Sequence, residues 1–558
     1  MITQFFNFPR PVCALKLVLA MSLCTGVAGQ ESEGAGELEE IVVTAGFRDN
    51  FLMTTPGSVS VVDQAVIEDR GARHLESVLN ISPNVSYSSG ASRARFVQVR
   101  GVGDLEQFVD PKHYPSVGIT LDDINIGGAA NAGMLFDTSQ VEVLRGPQGT
   151  RFGGSALAGM VNIRSNAPTD VFEAFVEAGA GSYGSWNLGG VVSGPLSDTV
   201  SARLAVQQIQ TDGYIDNDFL RRDDTNGRDE QTIRSQFRFE ATDASVYTLT
   251  LIKFDGENGY DAFSLDNTRS TLSDQPGRDN QETTAVAGKG EWQVGDSTVV
   301  QAVATWLESD LEYGFDEDWT FAGICDGTLC DPVFDFFSNT DNYLRERSET
   351  SFDLRVLGDS PSGNLQYVVG AYLQQRDEDL HRQYYGDFFS FYETEREAVY
   401  GQIDFALNDR WSITAGLRVE NFEDTYSDSF AFSSVNDDRL ESGDLTLSYQ
   451  AFDATLIYAT VARGDKAGGV NTEASSNLAL MQPVFQDFVG PRLRVETETL
   501  INREFGLKGR YFDDRLDLRA AVFHMDRSDA QLESWMWDAV GFLWVGFLDN
   551  VDGLNLGA

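Results

Sequence analysis

The chain has 558 residues, a formal net charge of −45 and only four cysteines. That length exceeds one ordinary soluble core and calls for several domains or one very large barrel. The acidity argues against a nucleic-acid partner, which needs basic patches. Four histidines in unrelated segments (His74, His113, His381, His524) give no metal or triad spacing, so no enzyme, metal site or cofactor is expected.

The first segment, 1–28, carries Arg10 and Lys16, an apolar stretch from Leu17, then the small residues Gly26, Ala28 and Gly29. This is the pattern of a secretory signal peptide, and the apolar run is too short for a membrane span. Cys13 and Cys24 leave with it. Cys325 and Cys330, in "CDGTLC", then sit in an oxidising compartment where a small-loop disulfide is expected, with half a zinc site the weaker reading.

In the acidic tail 29–50 lies "ELEEIVVTAGF", whose β-prone run Ile41, Val42, Val43 and Thr44 is suited to strand addition on another protein's sheet edge. It is equally readable as an ordinary first strand. Residues 51–168 follow as a compact domain. Within it "VEVLRGPQGTRFGGSALAGMVNIRS" places Gly146, Gly149, Gly153, Gly154 and Gly159 among apolar residues. A phosphate cradle fails on detail, because neither a Lys-Ser or Lys-Thr nor a G-x-G-x-x-G pattern is present. The alternation in "MVNIRS" predicts a strand, and the glycines predict tight turns between short strands.

From 169 to the end the chain repeats ten to fifteen residues of alternating polarity, then a turn. In "SETSFDLRVLGD", Phe352, Leu354 and Val356 oppose Ser351, Asp353 and Arg355; "NLQYVVGAYLQQRDED" and "RLDLRAAVFHMD" behave likewise. Period two with one apolar face suits strands with lipid outside and water or protein inside. Short connections such as "ATDA", "VGDS" and "LNDR" alternate with long ones at about 212–230, 255–281, 311–343, 379–392, 425–439 and 465–496. A soluble sandwich has no reason for that parity, whereas outer-membrane barrels have short turns at one end and long loops at the other. The long loops are aromatic and acidic, as in "HRQYYGDFFSFYE"; such aromatics can bind ligands or simply pack loops together.

Taken together the chain resembles the TonB-dependent outer-membrane receptors. "EEIVVTA" (39–45) resembles the TonB box, "PGSVSVVDQAVIEDRGARHLESVLNISPNVSYSSG" and "VQVRGVG" the plug, the glycine-rich run the plug's most specific signature, and "YATVARGDKAGGVN" and "ETLINREFGLKGR" barrel motifs. The resemblance implies an all-β transmembrane barrel of twenty-two strands with an N-terminal α+β plug inside it, located in the outer membrane of a Gram-negative cell. It implies that TonB is bound through Glu40, Ile41, Val42, Val43, Thr44 and Ala45, and that a ferric siderophore or similar large nutrient is imported. Carbohydrates and other bulky solutes stay open as cargo. A ligand-sensing signal transducer is disfavoured, since too few residues precede the box to fold, and a passive porin conflicts with plug and box.

Plug apical loops are expected at 88–95, 104–115 and 125–134, with Arg93, Arg95, Phe108, His113, Tyr114 and Asn131 as ligand contacts. Glu504 should point inward, toward Arg100 and Arg145 of the plug. The parity counts about fifteen barrel strands between 171 and 535, with "NVDGLNLGA" beginning another. That is fewer than the resemblance implies, and the chain lacks a terminal aromatic, so an incomplete barrel with an open edge near Phe175 is expected.

Overall fold

The computed structural model describes residues 41–89, 92–93, 95–104, 110–324, 338–452, 454–512, 515–540 and 543–557. The expected signal peptide, Glu40, Phe108, Cys325 and Cys330 lie outside the described residues.

Residues 58–165 build the inner domain. Its main sheet runs in the order Ser58–Asp63, Thr138–Arg145, Gly159–Ser165, Val117–Leu121, Ile124–Asn125, with Gly159–Ser165 and Val117–Leu121 parallel. A smaller sheet joins Val85–Ser88, Phe96–Val99 and Val102–Gly103. Two short helices follow the first strand, Gln64–Asp69, whose N-cap Asp63 accepts from the Val66 N–H at 2.9 Å, and Glu76–Leu79. Leu75, Leu79, Val99, Leu121, Val141, Val161 and Ile163 are buried together as its core.

Around it, among the described residues, lies one antiparallel sheet of seventeen strands, two of them the short segments Gly259–Tyr260 and Leu554–Gly557. Fifteen strands therefore carry the wall, from Glu173–Ala180 to Leu516–Ser528, in agreement with the count from parity. The apolar positions read from the alternation face outward: Val369, Leu373, Val399 and Leu417 are 60%, 50%, 63% and 62% exposed. Their neighbours Val368, Gln374, Ala398 and Arg418 face inward and are buried. No described helix is long and apolar enough to cross a membrane. Strand Glu173–Ala180 pairs only with Trp186–Ser197, and Leu554–Gly557 with Leu516–Ser528; among the described residues nothing joins these two edges.

Two expected long loops are mostly strand. Leu365–Gln383 and Asp387–Ala406 stay paired to a three-residue turn at 384–386, and Trp411–Asp428 and Ser433–Phe452 to a turn at 429–432. The alternation misleads here because the outward face turns polar on approach to both loops, with Asp377, Asp379, Glu393, Glu395 and Glu423 where Val and Leu stand lower down. Backbone pairing does not depend on side-chain polarity, so hairpins continue beyond the apolar band. The alternation reports where lipid ends, not where the strand ends.

Candidate functional site

The segment expected to bind a partner lies beneath the inner domain. Val42–Val43 pair antiparallel with Asn50–Phe51, and Val43 and Ala45 pack against Leu52, Val59, Leu144, Ala156 and Met160. The fully buried carboxylate of Glu142 receives the Thr44 N–H at 2.6 Å, the Thr44 hydroxyl at 2.9 Å and the Ala45 N–H at 2.7 Å. Asn162 Nδ2, at 3.0 Å, and Gln140 Nε2 also donate to it, and Gln140 further donates to the Val42 carbonyl. Arg151 donates to the Thr44 carbonyl at 3.3 Å. A backbone free to add a strand must first leave these partners.

The glycine-rich turn is where this domain meets the wall. Gly146 and Gly153 have φ of +93° and +66°, which L side chains rarely adopt. A Cβ on Gly149 would stand 2.4 Å from Ser442 Cβ, and one on Gly153 2.3 Å from Glu420 Oε2. Arg396 grips Glu420 and donates to the Phe152 carbonyl at 3.2 Å and Ser155 Oγ at 2.8 Å; Arg418, on the other side of Glu420, donates to the Arg151 carbonyl at 3.3 Å. These arginines occupy inward positions legible from the alternation, but no motif marked them.

Glu504 faces inward and forms an ion pair with Arg100, both side chains almost fully buried. Tyr458 and Ser58 each donate to Glu504 at 2.8 Å, and the Arg100 guanidinium lies 4.0 Å over the Phe523 ring. Arg145 is placed differently: it donates to Ser60 Oγ at 2.7 Å and the Pro83 carbonyl at 3.3 Å, and makes no ion pair among the described residues.

Of the expected ligand contacts, Arg93 is consumed by Glu230 and Glu76, and Tyr114 is buried, donating to Gln374 at 3.1 Å. Arg95 pairs with Asp279 under the Tyr313 ring. His113 is half-buried; burial, then the Lys466 ammonium, pushes it down to about 3. Asn131, in the turn Ala130–Ala132, is buried with neither amide atom hydrogen-bonded among the described residues. Against the cost of burial, Lys466 at 2.8 Å holds Asp104 down at about 2.

Long loops cover this apex. Lys112 and Val470 exchange backbone hydrogen bonds of 2.8 and 3.0 Å, and Thr472 donates to the Asp110 carbonyl. Buried Asn471 donates to the carbonyls of Arg492 and Leu548 and accepts from the Leu548 N–H, tying loop 467–497 to the hairpin Ala530–Asp538 and Leu543–Val551. The loop aromatics pack on one another, Phe219 on Phe321 and Phe263, Tyr260 and Phe315 on Trp319.

Comparison with known proteins fits this plan. A curated pesticin receptor of Yersinia pestis is 24% identical over 540 residues, spanning 93% of this chain and 75% of the relative. A vitamin B12 transporter BtuB of Vibrio vulnificus is 26% identical over 233 residues, 41% of this chain and 37% of the relative. The crystal structure of the ferric yersiniabactin uptake receptor FyuA from Yersinia pestis superposes with a TM-score of 0.71 at 20% identity, over 85% of this chain and 73% of that one. The family described as TonB-dependent receptor plug domain matches residues 52–160, and that described as TonB dependent receptor-like, beta-barrel, residues 163–541. The chain belongs to the TonB-dependent receptors of the outer membrane.

Proposed function

We propose that this receptor imports a ferric siderophore across the outer membrane, drawing energy from TonB bound to residues 40–45. The observation that carries the reading is the docked strand Val42–Val43: a β-capable segment lies under a plug that fills the lumen, clamped by removable hydrogen bonds to Glu142 and Arg151. Strand addition needs such a backbone, and release of the clamp frees it. The relatives named as receptors for ferripyoverdine and ferric-pyoverdine support iron-chelate cargo. The relatives named for vitamin B12 keep another bulky solute as the second reading.

The test is accumulation of iron-55 from citrate, hydroxamate and catecholate chelates, and of cobalt-57 cobalamin, in cells lacking their own receptors. Energy-dependent uptake of one iron chelate is expected. Uptake of cobalamin alone would replace the siderophore reading, and uptake insensitive to loss of TonB would overturn both.

A further inference from the structure

Toward the outer end of the lumen, cations and carboxylates pair off. Lys112 and Arg345 share Glu378 at 2.7 and 3.0 Å, Arg347 holds Glu349 at 3.0 Å, and Arg382 holds Asp341 and Glu473 at 2.7 Å each. Arg376, on the inward face of Leu365–Gln383, is different. It is 4% exposed, yet its guanidinium makes neither an ion pair nor a hydrogen bond among the described residues, and its Nε is fully buried. The carboxylates whose charge reaches it, Glu378 and Glu349, are spent on the cations just named. A buried cation left without a partner is strongly destabilising, so its retention asks for a reason outside the packing of the chain itself.

The surroundings of Arg376 say what would satisfy it. Its guanidinium lies over the Tyr114 ring, 4.6 Å from the centroid, and 6.0 Å from the centroid of Tyr392. An aromatic face holds a cation by its flat side and leaves the in-plane N–H donors unused. On the adjoining strand Arg376 stands opposite Thr394, and Tyr392 and then Ser390 follow on the same inward face toward the outer turn 384–386. Both hydroxyls are buried and without a hydrogen-bond partner among the described residues. A guanidinium edge with hydroxyls on the approach to it is a receptor for anionic oxygens. Because Tyr114 covers one face of the guanidinium, the anion must share its plane, and a carboxylate is the planar anion whose two oxygens match two parallel N–H bonds.

A loop covers this place. Val470 packs on Tyr392 and Tyr426 and exchanges backbone hydrogen bonds with Lys112. In the helix Thr472–Asn477, Thr472 donates to the Asp110 carbonyl and Glu473 reaches Arg382. The cover is thus held by a few polar contacts that water can replace.

We propose that Arg376 receives a carboxylate of the imported solute once the loop around Val470 lifts, so that this receptor selects acidic chelates over neutral ones. The proposal rests on the import reading for the identity of its solute, and the chemistry of the site is tested separately from it.

Two experiments decide it. In the first, the full chain in detergent micelles is titrated with ferrioxamine capped on its free amine by a succinyl group, which ends in a carboxylate, or by a neutral acetyl group, with tryptophan quenching as the readout. The wild type should prefer the succinyl form by roughly tenfold to a hundredfold, the span of charge-assisted hydrogen bonds. Arg376→Gln should erase the preference, and Arg376→Lys, which keeps the charge without the fork, should retain only part of it. A general loosening of the lumen lowers both affinities and leaves their ratio in place. Equal affinities in the wild type, or a preference that survives in Arg376→Gln, would overturn the proposal. The second experiment uses no iron: phenylglyoxal labelling of Arg376, read by peptide mass spectrometry. Labelling should be slow in the wild type, about tenfold faster in Glu473→Ala, which releases the cover from Arg382, and slowed again by citrate but not by its neutral triester. Failure of citrate to protect would overturn the site whatever the chelates do, and unchanged labelling in Glu473→Ala would overturn the cover. If neither ferrioxamine binds, the labelling decides. Protection by citrate in a receptor that takes up no iron chelate would keep the carboxylate site and remove the siderophore reading.

Discussion

Docking of the segment 42–45 under the inner domain uses three hydrogen bonds to Glu142. Glu142→Gln keeps the size but removes the charge, and turns an amide NH2 toward a backbone N–H, Thr44 on one side or Ala45 on the other, that can only donate. On the Oε2 side the new amide would meet the Ala45 N–H and the Asn162 amide; on the Oε1 side, the Thr44 N–H and hydroxyl. A hydrogen bond to a charged group contributes ~1.5–3 kcal/mol. Losing one such bond outright and the charge from two others should weaken docking by about 3 kcal/mol, roughly a hundredfold in the equilibrium. The assay is maleimide labelling of Val43→Cys, a position 3% exposed in the docked segment. Labelling should be slow in the Glu142 parent and about a hundredfold faster with Glu142→Gln, while a cysteine at Ser60 keeps its rate. A labelling rate within threefold of the parent would show that the apolar packing of Val43 and Ala45, not Glu142, holds the segment.

Val43→Pro should abolish energy-dependent uptake while ligand binding to cells persists, because proline removes a donor from the strand TonB would pair with; intact transport would refute the assignment of residues 40–45. Glu504→Ala should strand the buried Arg100 charge and cost about 3–5 kcal/mol of plug docking, read as a lower urea midpoint for plug release. Arg100→Leu/Glu504→Leu should recover part of that loss, and equal midpoints for the two variants would refute it. Burial, and then the Arg93 charge, holds His74 near 4, with its ring bonded to the Ala130 carbonyl at 2.9 Å. A histidine depressed in the folded state contributes stability above its unfolded pKa of about 6.5 that is lost as pH falls toward 4. Plug melting temperature should therefore drop across that window, and the slope should flatten in His74→Gln; an unchanged slope would place the titration elsewhere. Asn471→Ala should leave two carbonyls and the Leu548 N–H without their partner, and speed amide exchange in 467–497 and 543–551 together; independent responses would show that the two loops are not tied through it.

Much of the wall was legible in the chain itself, for a simple reason. A strand between lipid and a filled lumen must alternate, so Phe352 and Leu354 against Asp353 and Arg355 declare their faces without tertiary information. The count of fifteen wall strands, the inward direction of Glu504 and the glycine turn follow from the same local constraints. The pattern lost its meaning where the outward face enters water. Residues 387–392 read as loop, yet they belong to a strand that runs from Asp387 to Ala406.

What only the tertiary structure decided is which inward or buried groups meet. Glu142 looks in sequence like an alternating strand carboxylate, and nothing local says that its acceptors face the N–H groups of Thr44 and Ala45, ninety-eight and ninety-seven positions away. Arg93 and Tyr114 have the chemistry of ligand contacts but are spent on Glu230 and Gln374. Arg151 sits inside the glycine-rich signature, but nothing in that motif says that the turn carrying it meets the wall at Ser442 and Asp444 or that its side chain reaches the Thr44 carbonyl. Periodicity is a property of the backbone and its solvent and can be read one strand at a time. Partnership between a plug and the wall around it is a property of packing, set by contacts hundreds of residues apart.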